Sequence, residues 1–144
     1  MRSRPSSGRQ RGATPPEFLI DRSLSQVSLP AELKAAGLIV RTLTEVYGET
    51  VAQQTEDATW LALAGQRSWV VLCKDDHIRR RPAELQALTD GNVRLFCLTN
   101  AQLTFAEQAQ WFLTNRYRII QASRQPGPYV YGVYRDRITR LWPK

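Results

Sequence analysis

Two aspartates in this chain each follow an apolar run: Asp21 comes after Phe18-Leu19-Ile20, and Asp75 after Trp69-Val70-Val71-Leu72-Cys73-Lys74. Short unbroken apolar runs read as buried strands. If the two are neighbouring parallel strands, both carboxylates emerge at the same edge of one sheet. Carboxylates repel at close range, so such a pair normally holds a cation between them. The arrangement points to a metal-dependent site, with the substrate to be supplied by other features of the chain. Each aspartate alone also has a plainer reading, as a turn residue or helix cap.

Other chemistries find less support. His77 is the only histidine and has no metal-ligand motif beside it, so a zinc centre is not expected, and no serine or cysteine elbow accompanies it for acyl transfer. Cys73 and Cys97 each sit inside an apolar run without a CxxC spacing, which predicts buried thiols in a reducing compartment, the cytoplasm by default. No stretch approaches the roughly 18 apolar residues of a membrane span.

The elements that must position the aspartates alternate in type. Phe18–Ile20 predicts a first strand, and Pro30 opens a helix over Ala31–Ala36 that Gly37 stops. Leu38–Leu43 predicts a second strand, and Thr44–Glu56 a loop or weak helix. Asp57 stands at a helix start ahead of Trp60, Leu61, Leu63 and Ala64, with Gly65 as its end. Ser68–Lys74 predicts a third strand. Pro82 opens a helix over Ala83–Leu88, Asp90-Gly91 marks a turn, and Val93–Leu98 predicts a fourth strand. Thr104 with Glu107 matches a capping box, after which Phe105, Ala109, Phe112 and Leu113 line one face and Tyr117–Ala122 stays helical. Tyr129–Tyr134 and Arg137–Trp142 predict a terminal β-hairpin whose tyrosines pack over the sheet. Trp60, Trp69, Trp111, Phe105 and Phe112 are expected in the core.

This alternation implies an α/β sandwich with a mostly parallel sheet and right-handed crossovers. With strand order 2-1-3-4, strands 1 and 3 flank the switch point where ligands of open α/β sheets collect. Asp21 and Asp75 would both lie there.

The chain of 144 residues carries a formal charge of +7. Four arginines (Arg2, Arg4, Arg9, Arg11) fall in residues 1–16, which contain no acid, so the remainder has 16 basic against 13 acidic groups, or +3. That excess is compatible with nucleic acid without demonstrating it. Rich in Arg, Ser, Gly and Pro, residues 1–16 are expected to form a disordered basic tail ahead of one domain over 17–144. The tail has no secretory apolar stretch, and prolines interrupt any transit-peptide stripe.

Four segments together resemble the PIN-like domains of VapC-type toxins: Phe18-Leu19-Ile20-Asp21-Arg22-Ser23-Leu24, Asp57 to Gly65, Trp69 to Asp75, and Ile78-Arg79-Arg80-Arg81-Pro82-Ala83-Glu84-Leu85. The resemblance implies a three-layer PIN-like fold and a metal-dependent endoribonuclease of toxin–antitoxin type. It implies Asp21, Asp57 and Asp75 as the metal-site acids for Mg²⁺ or Mn²⁺, with Asp76 as a further candidate. RNA is then the substrate and a cognate antitoxin the protein partner; a homodimer is allowed for, and no membrane is involved. One departure stands out: the family's third motif reads T-K-D, whereas this chain has Cys73-Lys74-Asp75, a thiol in place of a hydroxyl.

Beside such a site, Lys74, Arg79, Arg80 and Arg81 would bind RNA, their cations holding flanking phosphates; a solvated basic face is the plainer account. Asp57 can also serve simply as a helix N-terminal acid, and Asp76 as an exposed residue. A different functional class, a noncatalytic PIN-like module that binds RNA or protein, fits the missing hydroxyl and the small acid count. A phosphoacceptor receiver shares the strand order, but Arg22 replaces its second acid and no lysine lies between Lys74 and Lys144.

Overall fold

The structure, a computed structural model, describes residues 14–74 and 81–143. Asp75, Asp76, His77, Arg79 and Arg80, and most of the basic N-terminal segment, lie outside the described residues. The apolar runs form a six-stranded sheet of order β2-β1-β3-β4-β5-β6. Its strands are β1 (Glu17–Ile20), β2 (Ile39–Thr42), β3 (Val70–Cys73), β4 (Arg94–Leu98), β5 (Tyr129–Val133) and β6 (Ile138–Trp142). The first five are parallel, and β6 returns antiparallel to β5. The expected order 2-1-3-4 and the C-terminal hairpin are both present, and the hairpin extends the sheet because β5 pairs with β4.

Period-two alternation sends strand side chains to two covered faces. Phe18, Ile20, Val70, Leu72, Phe96 and Leu98 pack under α1 (Ser28–Ala35), α6 (Phe105–Thr114) and α7 (Arg116–Ser123), through Leu29, Leu33, Phe112 and Ile119. On the other face Leu19, Val71, Leu95 and Val130 meet Trp60, Leu61 and Ala64 of α4 (Asp57–Arg67) and Leu88 of α5 (Pro82–Gly91). Each fully buried aliphatic side chain contributes roughly 1.5–3 kcal/mol. A helix–sheet–helix sandwich follows.

Several boundaries depart from expectation. Helix α1 begins at Ser28, which places Pro30 inside the first turn, where its missing N–H has no intrahelical partner to lose. Strand β2 stops at Thr42 because Thr42 and Glu45 form a capping box that starts α2 (Leu43–Tyr47). The Thr42 backbone N–H donated to Glu45 is the main cause that holds the Glu45 carboxyl below its usual range. The Thr44–Glu56 segment, expected as a loop or weak helix, folds as most of α2 and all of α3 (Glu49–Gln54), broken at Gly48, whose φ of +84° suits glycine. Gly65 does not end α4, and Asp90 and Gly91 lie within α5. The two helices cross where Gly65 meets Gly91, so close that a Cβ on Gly65 would lie 2.7 Å from the Gly91 Cα. Left-handed Ser68 and Asn92 terminate these helices instead. Of the expected core aromatics, Trp60, Trp69 and Phe112 are buried and Trp111 is partly so, but Phe105, first residue of α6, is 61% exposed.

The expectation of two buried thiols is corrected. Parallel register sets Cys73 directly opposite Cys97, with Cα atoms 4.6 Å apart, and their sulfurs are joined as a disulfide within the core. That separation is within the roughly 4.4–6.8 Å a disulfide spans. Among the described residues, no helix is long and apolar enough to cross a membrane.

Tyr129 carries a pH dependence. Its hydroxyl donates to the Ala122 carbonyl at 2.8 Å, and burial pushes its pKa from 10.0 up to about 12. A group protonated longer in the folded than in the unfolded chain stabilises fully below the unfolded pKa and loses that contribution as pH rises through the folded one. Urea unfolding should therefore show stability falling between pH 10 and about 12. Tyr129→Phe should remove this component while losing about 1 kcal/mol at neutral pH with the hydrogen bond.

Candidate active site

Strand β1 delivers Asp21 to the carboxyl edge of the sheet. The Asp21 N–H donates to the Leu72 carbonyl of β3 at 3.1 Å, extending the parallel ladder one residue past Ile20. Its carboxylate is buried, with 4% of the residue exposed. Burial of a carboxylate requires hydrogen-bond partners. Ser23 supplies two: its backbone N–H donates to Asp21 Oδ1 at 2.8 Å, and its hydroxyl donates to the same oxygen. The Gln26 side-chain amide closes the turn on the Asp21 carbonyl at 2.8 Å.

Ser23 is the residue sequence reasoning missed. Its Oγ also accepts the Lys74 backbone N–H at 3.0 Å. One hydroxyl thus joins the Asp21 carboxylate to the last described residue before Asp75. The Asp-x-Ser spacing of an Asx-type turn was the available signal, since such side chains bond the backbone two residues on. The link to Lys74 was not legible, because it depends on strand adjacency.

Asp57 is the first residue of α4, and Glu56, the N-cap, makes no side-chain cap bond. Asp57 Oδ1 accepts from the Trp60 indole Nε1 at 3.0 Å and lies 3.3 Å from Arg22 Nη2. Its Oδ2 is 3.5 Å from Arg81 Nη1. Arg22, the residue after Asp21, also donates to the Ala52, Gln53 and Thr55 carbonyls, satisfying the end of α3. Arg81 pairs in addition with Glu84 at 3.4 Å. Arg22, Thr55, Asp57 and Glu84 line one cleft of about 580 Å³.

The structure therefore joins Asp21 to the Lys74 backbone, and Asp57 to Arg22 and Arg81. Arg81, expected at phosphates, engages two acids, and Lys74 is partly buried. Among the described residues no group of three His, Cys, Asp or Glu side chains is placed to hold a metal. Asp21 is a suitable donor in kind: a carboxylate held rigidly at the switch-point edge. Asp57 is a poorer one, because guanidiniums already neutralise both its oxygens.

Known proteins supply a context for this geometry. A family profile described as "PIN like domain" matches residues 16–100. A Mycobacterium tuberculosis (strain ATCC 25618 / H37Rv) protein named "Putative ribonuclease VapC45" is 36% identical over 124 residues, covering 86% of this chain and 90% of that protein. No solved structure matches significantly. The profile takes in β1 through β4, and with them Asp21, Ser23, Asp57 and Lys74. With most of its length aligned in this way, the chain belongs to the PIN-like domain family, of the VapC type.

Proposed function

We propose that this protein is a metal-dependent endoribonuclease of toxin–antitoxin type, acting on RNA and restrained by a cognate antitoxin. One observation carries the reading: the buried Asp21 carboxylate at the β1–β3 switch point is hydrogen-bonded through Ser23 to the residue that precedes Asp75. Ligands of open parallel sheets bind at that edge. The relative's printed name supports ribonuclease as the activity.

In this reading Asp21 and Asp75, with Asp76 beside them, hold Mg²⁺ or Mn²⁺. The ion when bound would acidify a water for in-line attack and offset charge developing on the phosphate. The chain's own residues prepare that corner. Ser23 keeps the Asp21 carboxylate aimed by two donated hydrogen bonds. Lys74, Arg79 and Arg80 supply cations for the phosphates on either side of the scissile one. Asp57, the third acid the family pattern implies, acts on the RNA side by orienting Arg22 and Arg81. Direct ligation by Asp57 would compete with those guanidiniums for its oxygens.

The expected result is RNA cleavage with Mg²⁺ or Mn²⁺ that stops in EDTA and resumes when the ion is restored. Unchanged cleavage in EDTA sinks the metal reading. The second reading, a noncatalytic module, gains from the arginine-neutralised Asp57 and from Cys73 standing where the family has threonine. It predicts no heat of Mn²⁺ binding at millimolar ion and no cleavage.

A further inference from the structure

Charge is divided unevenly along this chain. Residues 17–114 hold 9 basic and 12 acidic groups, whereas residues 115–144 hold 7 basic groups and a single acid, Asp136. The fold gathers several of those cations at one place. Buried Asn115, at the junction of α6 and α7, donates through Nδ2 to the Tyr134 carbonyl at 2.7 Å and the Arg135 carbonyl at 3.4 Å. Its Oδ1 accepts from Arg118 at 3.0 Å. A single asparagine thus fastens the β5–β6 turn to the start of α7. The Tyr134 N–H closes that turn on the Arg137 carbonyl at 2.8 Å.

Arg118, Arg135 and Arg137 are exposed on this face. The Arg137 guanidinium lies 4.0 Å from the Tyr134 ring centroid, and Arg116 lies 4.7 Å from that of Tyr117, which is 72% exposed. Among the described residues, the ion pairs engage Arg22, Lys34, Arg41 and Arg81 but none of the arginines after Arg94. Their contacts among the described residues are to aromatic rings, backbone carbonyls and neutral side-chain amides rather than to carboxylates. A surface that interleaves cations with ring faces suits single-stranded nucleic acid, whose phosphates and bases need both. An acidic protein would use the cations and leave the rings idle.

Position strengthens the match. Strand β5 runs parallel to β1 and β3, so Tyr134 and Arg135 leave the sheet at the same carboxyl edge as Asp21 and Lys74. At about 4.8 Å per strand, β5 lies roughly 10 Å from β3 and 14 Å from β1. A few nucleotides bridge that gap.

We propose that the face formed by the α6–α7 junction and the β5–β6 turn binds the single-stranded RNA flanking the cleaved bond, with Arg118, Arg135 and Arg137 on phosphates and Tyr117 and Tyr134 against bases. The proposal rests on the ribonuclease reading for its substrate, yet it is tested by binding alone. Fluorescein-labelled oligouridylate is titrated into the full chain in EDTA across a salt series. Arg135→Glu/Arg137→Glu should weaken binding at least tenfold and reduce the slope of log K against log salt by about 1.4, as expected for two lost single-strand phosphate contacts. The Arg135 side chain has no partner among the described residues, so Arg135→Glu alone should keep the wild-type melting temperature and show about half the slope change. Arg67→Glu, near Trp69 at the opposite strand ends, should bind as wild type. Unchanged affinity and slope in the double variant overturn the proposal. So does a variant that keeps oligouridylate but loses polyglutamate, which would assign the face to an acidic protein. If the double variant loses RNA while no form of the protein cleaves in Mn²⁺, the surface stands and only the nuclease reading falls. If cleavage is intact and binding unaltered, the surface alone falls.

Discussion

Asp21→Asn should lower RNA cleavage in Mn²⁺ on the order of 10³-fold, as loss of roughly 4 kcal/mol of transition-state stabilisation implies. The fold should survive. The asparagine carbonyl oxygen can still accept the Ser23 N–H, and the Asp21 backbone bonds to Leu72 and Gln26 do not involve the carboxylate. The removed element is the negative charge, without which a hard cation loses an anchoring oxygen. A second readout separates catalysis from folding. Mn²⁺ binding to the native state should raise the wild-type melting temperature, by linkage worth about 1.4 kcal/mol at ten times the dissociation constant. Asp21→Asn should abolish that rise. Cleavage by Asp21→Asn within a few-fold of wild type would remove Asp21 from the machinery, and with it the observation on which the proposed function stands.

Trp60→Ala should cost about 3–5 kcal/mol, the range for deleting a large buried aromatic. Trp60 is fully buried on α4 among Leu61, Ala64, Val71 and Leu88, and it packs the helix that begins at Asp57. It also donates its indole N–H to Asp57 Oδ1. Trp60→Phe isolates that second role, since phenylalanine keeps much of the packing and removes the donor. Urea unfolding should place Trp60→Phe well between wild type and Trp60→Ala. If the phenylalanine variant were as unstable as the alanine one, the hydrogen bond to Asp57 rather than packing would dominate at this position. The Asp57 ion pairs with Arg22 and Arg81 are partly exposed, so their own contribution to stability is small, within about 1 kcal/mol.

Asp21 and Asp57 also mark how far the candidate site was legible. Asp21 announces itself: an acid after a buried apolar run occupies the end of a strand, and in a parallel sheet all such ends share an edge. Asp57 announces only half of its role. Its place at a helix start follows from the apolar periodicity of Trp60, Leu61 and Ala64. Its partners do not, because Arg22 and Arg81 reach it from loops separated by α1 to α3 on one side and β3 on the other. Ser23 looks like ordinary loop polarity until β1 and β3 are adjacent. Asn115 likewise falls in an apparently continuous helix, although its side chain ties that helix to the β5–β6 turn.

The chain's own order of residues was enough for the alternation of strands and helices, the Thr104–Glu107 capping box, the Pro82 helix start, the hairpin and the strand-end position of Asp21; that its strand lies at the switch point took the sheet order. These are written in steric and hydrogen-bonding preferences that act over two to four neighbouring residues. Folding in three dimensions was needed to set Cys73 against Cys97, Gly65 against Gly91, Asp57 between two arginines, and the arginine-rich C-terminal turn on the same edge as Asp21. Those contacts depend on strand register and helix crossing between segments far apart along the chain. Local preference places no constraint on such pairings; packing of the two faces of one sheet does.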